Sequence, residues 1–449
     1  MPSYIDPSEK YNQSHAESPD ATIALEHALR EVCRPTGSYF RTTGDTPAIF
    51  IEVSSLMNVL DRQRILQNGY MAVAISLLSF VAWLYLIAFR GRFWQSIPVI
   101  SVRRPSGRAK VSVVIPARNE AANVHVSLTS LLLQDYSGDL SVILIDDNST
   151  DATAAVASSL AIDNRLTIVS GTPLPAGWTG KLWAINQGLA QGKTKEADYV
   201  LLTDADIDHA PGHVSALVAK AESDGLDLVS EMVHLNCSTL AECAFIPAFV
   251  FFFQMLYPFL WVADPAKRVA GAAGGTMLIR RVALEGTGGV SRIHNRLIDD
   301  CALARQIKNS GRRIWLGHSE MAVSRRVYSK VSDVWKMIAR TAYEQLGYSP
   351  LMLLGCVVGM SIIFCAPALI TVCTHGLSRV LGVLSWLMMT AAFQPTLRRY
   401  RRSPVWGIAL PLIGLFYLCS TLASAARFHS GRGGGWKDRV YSGRVGSNR

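Results

Sequence analysis

Three acidic clusters, each close behind an apolar stretch, are the residues of this sequence best suited to chemistry. Asp146-Asp147-Asn148-Ser149 follows Val142–Ile145, Asp204-Ala205-Asp206 follows Tyr199–Leu202, and Asp299-Asp300 opens a helix-like stretch that continues through Leu303 and Ile307. An Asp-x-Asp turn at a strand end can aim oxygen ligands at one hard cation, and Mg2+ or Mn2+ prefers carboxylate, phosphate and water oxygens. A metal held by one or two carboxylates usually also grips a substrate diphosphate, and a third carboxylate near the crevice can serve as general base. Together these groups suit transfer from a nucleotide diphosphate donor. Each cluster alone also has an ordinary reading. Asp146–Ser149 fits a turn and helix N-cap, the more so with Asp151 and Thr153 nearby. Asp-x-Asp occurs by chance in many loops, and Asp299-Asp300 fits the acidic start of a helix. The set of three, in this order, is much more specific than any member.

The elements that must carry these clusters are legible as short β-branched runs alternating with helix-like stretches. Val111–Ile115, Ser141–Ile145, Leu166–Val169 and Tyr199–Leu202 read as strands; Glu120–Leu133, Ala152–Leu160 and Trp183–Gln191 read as helices. Such alternation predicts an α/β domain with a mainly parallel sheet, which binds ligands at the carboxyl ends of its strands. Strand-end carboxylates therefore line the expected crevice.

This domain, residues 108–350, is flanked by sequence of a different kind. The 449 residues are 49% hydrophobic and only 17% charged, and the mean hydropathy of +0.22 argues against a disordered chain. Tyr70–Phe89 is an uninterrupted apolar run long enough to cross about 30 Å of hydrocarbon. Arg90, Arg92, Arg103, Arg104, Arg108 and Lys110 follow it, which predicts a cytoplasmic catalytic domain by the positive-inside rule. Leu351–Cys373, Leu377–Phe393 and Val405–Ser424 form a C-terminal membrane region (351–426), followed by a basic tail (427–449). Three crossings would separate the Arg398–Arg402 loop from that tail; two crossings and one re-entrant or interfacial segment would keep both inside, and the second arrangement is expected. Residues 1–65 are polar, lack a signal-peptide pattern and are expected to be partly disordered. The stretch 244–262 is apolar and aromatic-rich, but a crossing there would split the acidic set across the membrane. The stretch is read as an interfacial apolar segment, with a buried helix pair as the equally weighted alternative.

The formal net charge of +10 raises nucleic-acid binding. Many of the Arg and Lys residues flank apolar runs, however, and no nucleic-acid motif is present, so no nucleic-acid partner is expected. Eight cysteines without a CxxC pair read as reduced thiols rather than a disulfide framework or zinc site.

Val111-Ser-Val-Val-Ile-Pro-Ala-Arg-Asn-Glu120, Ile145-Asp-Asp-Asn-Ser149, Thr203-Asp-Ala-Asp206 and Ile298-Asp-Asp300 together resemble the family 2 glycosyltransferases. The resemblance implies a GT-A fold, a nucleotide-sugar donor and a Mg2+ or Mn2+ cofactor. More narrowly, Gly177-Trp178-Thr179-Gly180-Lys181 with Trp183-Ala184, Ala270-Gly271-Ala-Ala-Gly274-Gly275, and the terminal Trp436-Lys437-Asp438-Arg439 look like the hopene-associated subgroup. Carried over residue by residue, the resemblance implies that Pro116 and Glu120 border the nucleoside pocket and that Asp147, with Asp146, binds the base or ribose. It further implies that Asp204 and Asp206 hold metal and diphosphate, with Asp206 the direct ligand, and that Asp300 deprotonates the acceptor hydroxyl. Asp299 is placed with Asp300 in the catalytic pair, at a position where many members have Glu. The mechanism implied is a single inverting displacement.

Lys181, read as a loop residue, can contact a diphosphate as a point charge; a solvated lysine is the alternative. Arg325 and Arg326 can reach phosphate, acceptor or anionic lipid, and His294 and His318 read as structural. The Gln-x-x-Arg-Trp motif of processive synthases is absent between Asp300 and Pro350, where Arg340-Thr-Ala-Tyr-Glu-Gln-Leu stands. This favours one sugar per acceptor. The apolar segments favour a lipid acceptor, hopanoid or polyisoprenoid, and a multi-pass protein of the bacterial inner membrane. A glycan synthase and a catalytically silent membrane scaffold are the competing readings.

Overall fold

The computed structural model describes residues 69–100, 107–161, 163–437 and 439–440; the extension 1–65 lies outside them. The first long helix, α1 (Gly69–Phe89), is apolar along its length. Then come β1 (Val111–Ala117), α2 (Val124–Leu132), β2 (Leu140–Asp146), α3 (Thr153–Ser158), β3 (Leu166–Ser170), α4 (Gly180–Leu189) and β4 (Tyr199–Leu202). The alternation places β1, β2, β3 and β4 in parallel, with Val111 opposite both Leu140 and Tyr199. β1 and β4 are buried throughout, as expected when helices cover both faces of a parallel sheet.

The second half adds β5 (Ile207–His209), α5 (His213–Ser223), β6 (Leu228–His234), α6 (Leu240–Leu256), α7 (Phe259–Ala263), β7 (Met277–Arg280), α8 (Asp299–Asn309) and β8 (Ile314–Ser324). The eight strands lie in the order β3-β2-β1-β4-β7-β6-β8-β5. β7 runs antiparallel to β4 and β6, and β5 antiparallel to β8. This mixed, mainly parallel sheet is the GT-A fold.

Helix α4 lies so close to the sheet that a Cβ on Gly188 would come within 2.4 Å of Val114 Cγ1. The two sequence helices flanking β1 and β2 are shorter than their apolar periodicity suggests. Residues 120–123 form turns, because Asn119 is left-handed at φ 50°, and Asp151 and Thr153 accept from the backbone N–H groups of Ala121 and Glu120. Lys181, expected in a loop, lies instead in the first turn of α4; Thr179 in extended conformation starts the helix ahead of it.

Beyond the sheet lie α9 (Val331–Gln345), α10 (Pro350–Cys373), α11 (Gly376–Arg399) and α12 (Leu410–His429). Among the described residues four helices, α1, α10, α11 and α12, are long and apolar enough to cross a membrane. The stretch 244–262 forms α6 and α7, and none of its aromatic side chains is exposed. Phe251 packs on Phe93 and Phe393, and Phe252 on Phe364 and Tyr417. Each fully buried ring contributes roughly 1.5–3 kcal/mol. These two rings are thus held in protein packing. Glu242 sets its start: the carboxylate accepts from the N–H groups of Ser238, Thr239 and Tyr328 and forms a capping box with Thr239.

Residues 404–408 run back along α11. Gln394 donates to Pro404 O, Thr390 to Gly407 O and Trp386 to Ile408 O. Trp386 is about 20 Å along the helix from Arg399 at 1.5 Å per residue, and Arg399 donates to Ser319 O in β8. Helix α12 starts at that depth and returns to the sheet side, where Ser424 accepts from Tyr343 N and Phe428 stacks on Tyr348.

Gly188→Ala should force α4 away from β1 and destabilise the domain by about 1–3 kcal/mol, seen as a lower midpoint of thermal unfolding. An unchanged midpoint would show that this contact relaxes freely.

Candidate active site

The site is built where β1, β2 and β4 end, because that is where the parallel register brings their last residues level. Pro116 pairs with Ile145 and Ala117 with Asp146, and Thr203 and Asp204 follow β4 directly. A small cavity there is lined by Pro116, Lys181, Asp204, Gly274, Asp299 and Asp300 among others.

Lys181 is the centre of one charge group. Its Nζ lies 2.9 Å from Asp204 Oδ1 and 3.2 Å from Asp299 Oδ2. Those carboxylates, with Asp300, hold the ammonium well above the ordinary lysine range despite its desolvation. Asp300 itself accepts from Gly274 N at 2.8 Å and from Cys301 N at 2.6 Å. Burial, and then the neighbouring Asp299, push its carboxyl up to about 6, with Lys181 acting in the opposite direction. A carboxylate poised near 6 is ionised at neutral pH yet more basic than a free aspartate, as a general base requires.

Arg326 is the centre of a second group. Its Nε lies 2.7 Å from Asp206 Oδ2 and its Nη2 2.6 Å from Glu120 Oε1. Burial and the nearby Asp204 raise the Asp206 carboxyl in spite of that guanidinium. Arg325 pairs with Asp208 instead. A third group surrounds Asp147, which is fully buried: Arg439 Nη2 lies 2.9 Å from its Oδ1. Arg118 donates to its carbonyl oxygen, and burial raises its carboxyl. Asp146 points elsewhere. Its Oδ1 accepts from Ser149 N and Ser149 Oγ, so its side chain closes the turn; the ordinary reading of that residue describes its geometry.

Among the described residues no three His, Cys, Asp or Glu side chains converge as a ready-made metal cage. Asp204 and Asp206 nevertheless supply hard oxygen donors two residues apart, a set that fits a cation whose remaining ligands are water and phosphate oxygens.

Several supporting residues carry no recognisable sequence signal. Thr203 Oγ1 donates to Gly275 O at 2.7 Å, so it accepts from His209 Nε2 at 3.1 Å. That leaves His209 Nδ1 to accept from His213, 2.8 Å away, and His213 Nε2 meets Glu231 Oε2 at 2.7 Å. Burial holds His209 neutral. The chain ties the end of β4 to the Gly274-Gly275 turn that supports Asp300. Glu344, in the segment that replaces Gln-x-x-Arg-Trp, accepts from Leu297 N at 3.0 Å and so fixes the chain just before Asp299. His294 packs against Trp178, and His318 is buried against Phe259.

The sheet order and the strand-end carboxylates together define a GT-A frame. Residues 112–286 match the family model described as Glycosyl transferase family 2. A probable glycosyltransferase of Bacillus subtilis, YdaM, is 27% identical over 212 residues, 46% of this chain and 48% of that protein. An undecaprenyl-phosphate 4-deoxy-4-formamido-L-arabinose transferase of an Enterobacter species is 28% identical over 27% of this chain and 36% of its own length. The chain spans about half or less of the curated relatives it matches. A solved structure of a Pyrobaculum calidifontis mannosyltransferase in complex with GDP-Man and Mn2+ aligns with TM-score 0.49 at 20% identity, covering 79% of this chain and 98% of that one.

Lys181→Met should destabilise the protein by on the order of 3 kcal/mol at pH 8, since it strands charges in a partly buried cluster. Because the Asp300 carboxyl is raised to about 6, stability falls as pH rises from the ordinary aspartate range to about 6, and without Lys181, which lowers that carboxyl, the loss continues to higher pH. The deficit in thermal unfolding midpoint should therefore shrink from pH 8 to pH 5.5; a deficit independent of pH would refute the role given to Lys181.

Proposed function

We propose that the protein is a membrane-bound, inverting, metal-dependent glycosyltransferase that moves one sugar from a nucleotide-diphosphate sugar, a UDP-sugar first, to a lipid acceptor of the hopanoid or polyisoprenoid class. The observation that carries the reading is Asp300, held by two backbone N–H groups at the edge of a crevice that also contains Asp204 and Asp206.

The acceptor hydroxyl attacks the anomeric carbon opposite the departing nucleotide diphosphate. Asp300 takes the hydroxyl proton; the backbone N–H groups of Gly274 and Cys301 hold its carboxylate in place. No enzyme nucleophile is required, so a single displacement inverts the anomeric centre. Asp204 and Asp206 would hold Mg2+ or Mn2+ together with the donor diphosphate. The cation supplies charge neutralisation at the leaving group. Lys181 and Arg326, already beside those carboxylates, orient them and add positive charge near the phosphates. Pro116, Glu120 and Asp147 border the nucleoside end. Asp299 orients Lys181.

A lipid acceptor is supported by the four long apolar helices and by the undecaprenyl-phosphate transferase among the relatives. The path of the chain supports two crossings, α10 and α11, with 404–408 and α12 forming a re-entrant unit that starts at mid-depth and returns. That arrangement keeps Arg398–Arg402 and the tail on the cytoplasmic side with the sheet, as the charge pattern favours. The hopene-associated subgroup rests on the motifs at 177–184, 270–275 and 436–439.

Purified protein given UDP-, GDP- and dTDP-sugars, a membrane lipid extract and Mn2+ should release nucleotide and add one sugar mass to a lipid. Asp300→Asn should lower turnover by at least about 100-fold while nucleotide binding persists. In the wild type kcat/KM should fall about tenfold per pH unit below about 6, where Asp300 is protonated. Nucleotide release unchanged in Asp300→Asn would remove Asp300 from the mechanism, and polymeric product would replace this reading with a glycan synthase.

A further inference from the structure

The last described residues return to the crevice from the far end of the sequence. Gly435–Trp436 and Arg439–Val440 form a small antiparallel hairpin, β9 and β10, with Arg439 opposite Trp436. Lys437 between them is left-handed at φ 54°. The hairpin is seated at three points. The Trp436 ring lies on Gly180, where a Cβ would come within 2.9 Å of it. Lys437 Nζ pairs with Glu120 Oε1 and donates to Asn119 O at 3.3 Å. Arg439 pairs with Asp147. The turn before it is close-packed too, since a Cβ on Gly434 would lie 2.3 Å from Leu297 Cδ1.

The seating leaves a specific gap. Asp147 uses Oδ1 for Arg439, while its buried Oδ2 has no hydrogen-bond partner. Arg439 uses Nη2, while its buried Nη1 has none. A buried unsatisfied carboxylate oxygen and a buried unsatisfied guanidinium N–H each cost about 1–3 kcal/mol or more, and native proteins keep few of them. Here one acceptor and one donor are left unpaired, both shielded from solvent, on the two halves of a single ion pair. That combination is the complement of a nucleobase edge, on which an N–H donor stands beside a ring nitrogen or carbonyl acceptor. The charge balance agrees. Glu120 and Asp206 share one guanidinium, Arg326, and Lys437 supplies the second cation that lets an anionic ligand approach these carboxylates.

We propose that the C-terminal hairpin is part of the donor site: Arg439 and Asp147 together bind the nucleobase edge through Nη1 and Oδ2, and Lys437 holds Glu120 in place beside them. The inference rests on the crevice being the nucleotide-sugar site. It makes the donor pocket a composite of the sheet and of a segment 292 positions later in the chain.

The test uses the full-length protein in detergent, titrated calorimetrically with UDP and with GDP in the presence of Mn2+, alongside donor kinetics. Arg439→Gln should weaken binding of the preferred nucleotide about tenfold or more and raise the donor KM to match, with a smaller change in kcat and none in acceptor KM. Arg439→Lys should restore part of the affinity, because an ammonium can pair with Asp147 but lacks the second N–H arm. Lys437→Gln should have a smaller effect of the same sign. Hydrogen exchange gives an independent readout that does not depend on any variant folding: residues 435–440 should become more protected when nucleotide is added. Unchanged nucleotide affinity in Arg439→Gln would make the hairpin purely structural and overturn the proposal. Tighter binding in that variant, or faster exchange of 435–440 on adding nucleotide, would show a plug that leaves when donor enters, and would overturn it equally. A wild-type protein that binds neither nucleotide would overturn the donor-site reading itself; nucleotide binding that is indifferent to Arg439 overturns only the role of the hairpin.

Discussion

Crowding carboxylates at the ends of adjacent parallel strands is the constraint on which the rest of this structure depends. Two like charges about 4 Å apart repel by roughly 4 kcal/mol at an effective dielectric of 20. Asp204, Asp299 and Asp300 line one crevice, and Glu120, Asp147 and Asp206 lie in ion-paired groups just beyond the ends of β1, β2 and β4. The chain answers with cations drawn from separate elements: Lys181 from α4, Arg326 from just after β8, and Lys437 and Arg439 from the terminal hairpin. Each of these cations is far in sequence from at least one of the carboxylates it meets. The charge set is compensated only in the folded protein, and elements separated by hundreds of residues must dock for the crevice to exist.

The same dependence governs the apolar half of the molecule. Helix α6 is fixed at its start by Glu242, which accepts from the backbone N–H groups of Ser238 and Thr239, just ahead of the helix, and of Tyr328. Its rings fill the space between the sheet and the long helices. Arg399 reaches from the end of α11 to a carbonyl of β8, and Tyr417 of α12 donates to Phe245 O in α6. The long helices are thus tied by polar contacts to the layer that carries the site. In the proposed reaction that coupling holds a lipid-facing region at a fixed distance from Asp300.

Asp300 shows how little of its reactivity comes from its own residue type. An exposed aspartate is a weak base. Burial, a like charge at Asp299 and two fixed backbone donors adjust it, while Lys181 limits how far it rises. Thr203, His209, His213 and Glu231 form a buried chain behind the crevice, and they secure the Gly274-Gly275 turn that supplies one of those donors.

The sequence by itself determined the elements whose signal is local. The strand runs at 111, 141, 166 and 199, the alternation that makes the sheet parallel, the long apolar helices, and the three acidic clusters could all be read from side-chain type and spacing. Periodicity and β-branching act over a few residues, so they survive without tertiary context. Tertiary structure decided what depends on partners distant in sequence. It turned Lys181 from a loop lysine into the helix residue between two carboxylates, and Asp146 into a turn-closing side chain beside a buried Asp147. It packed Phe251 and Phe252 of the 244–262 stretch against rings of the long helices, and drew Arg439 to Asp147. None of these outcomes has a local signature, because an ion pair or a buried ring takes its energy from whatever the fold brings beside it.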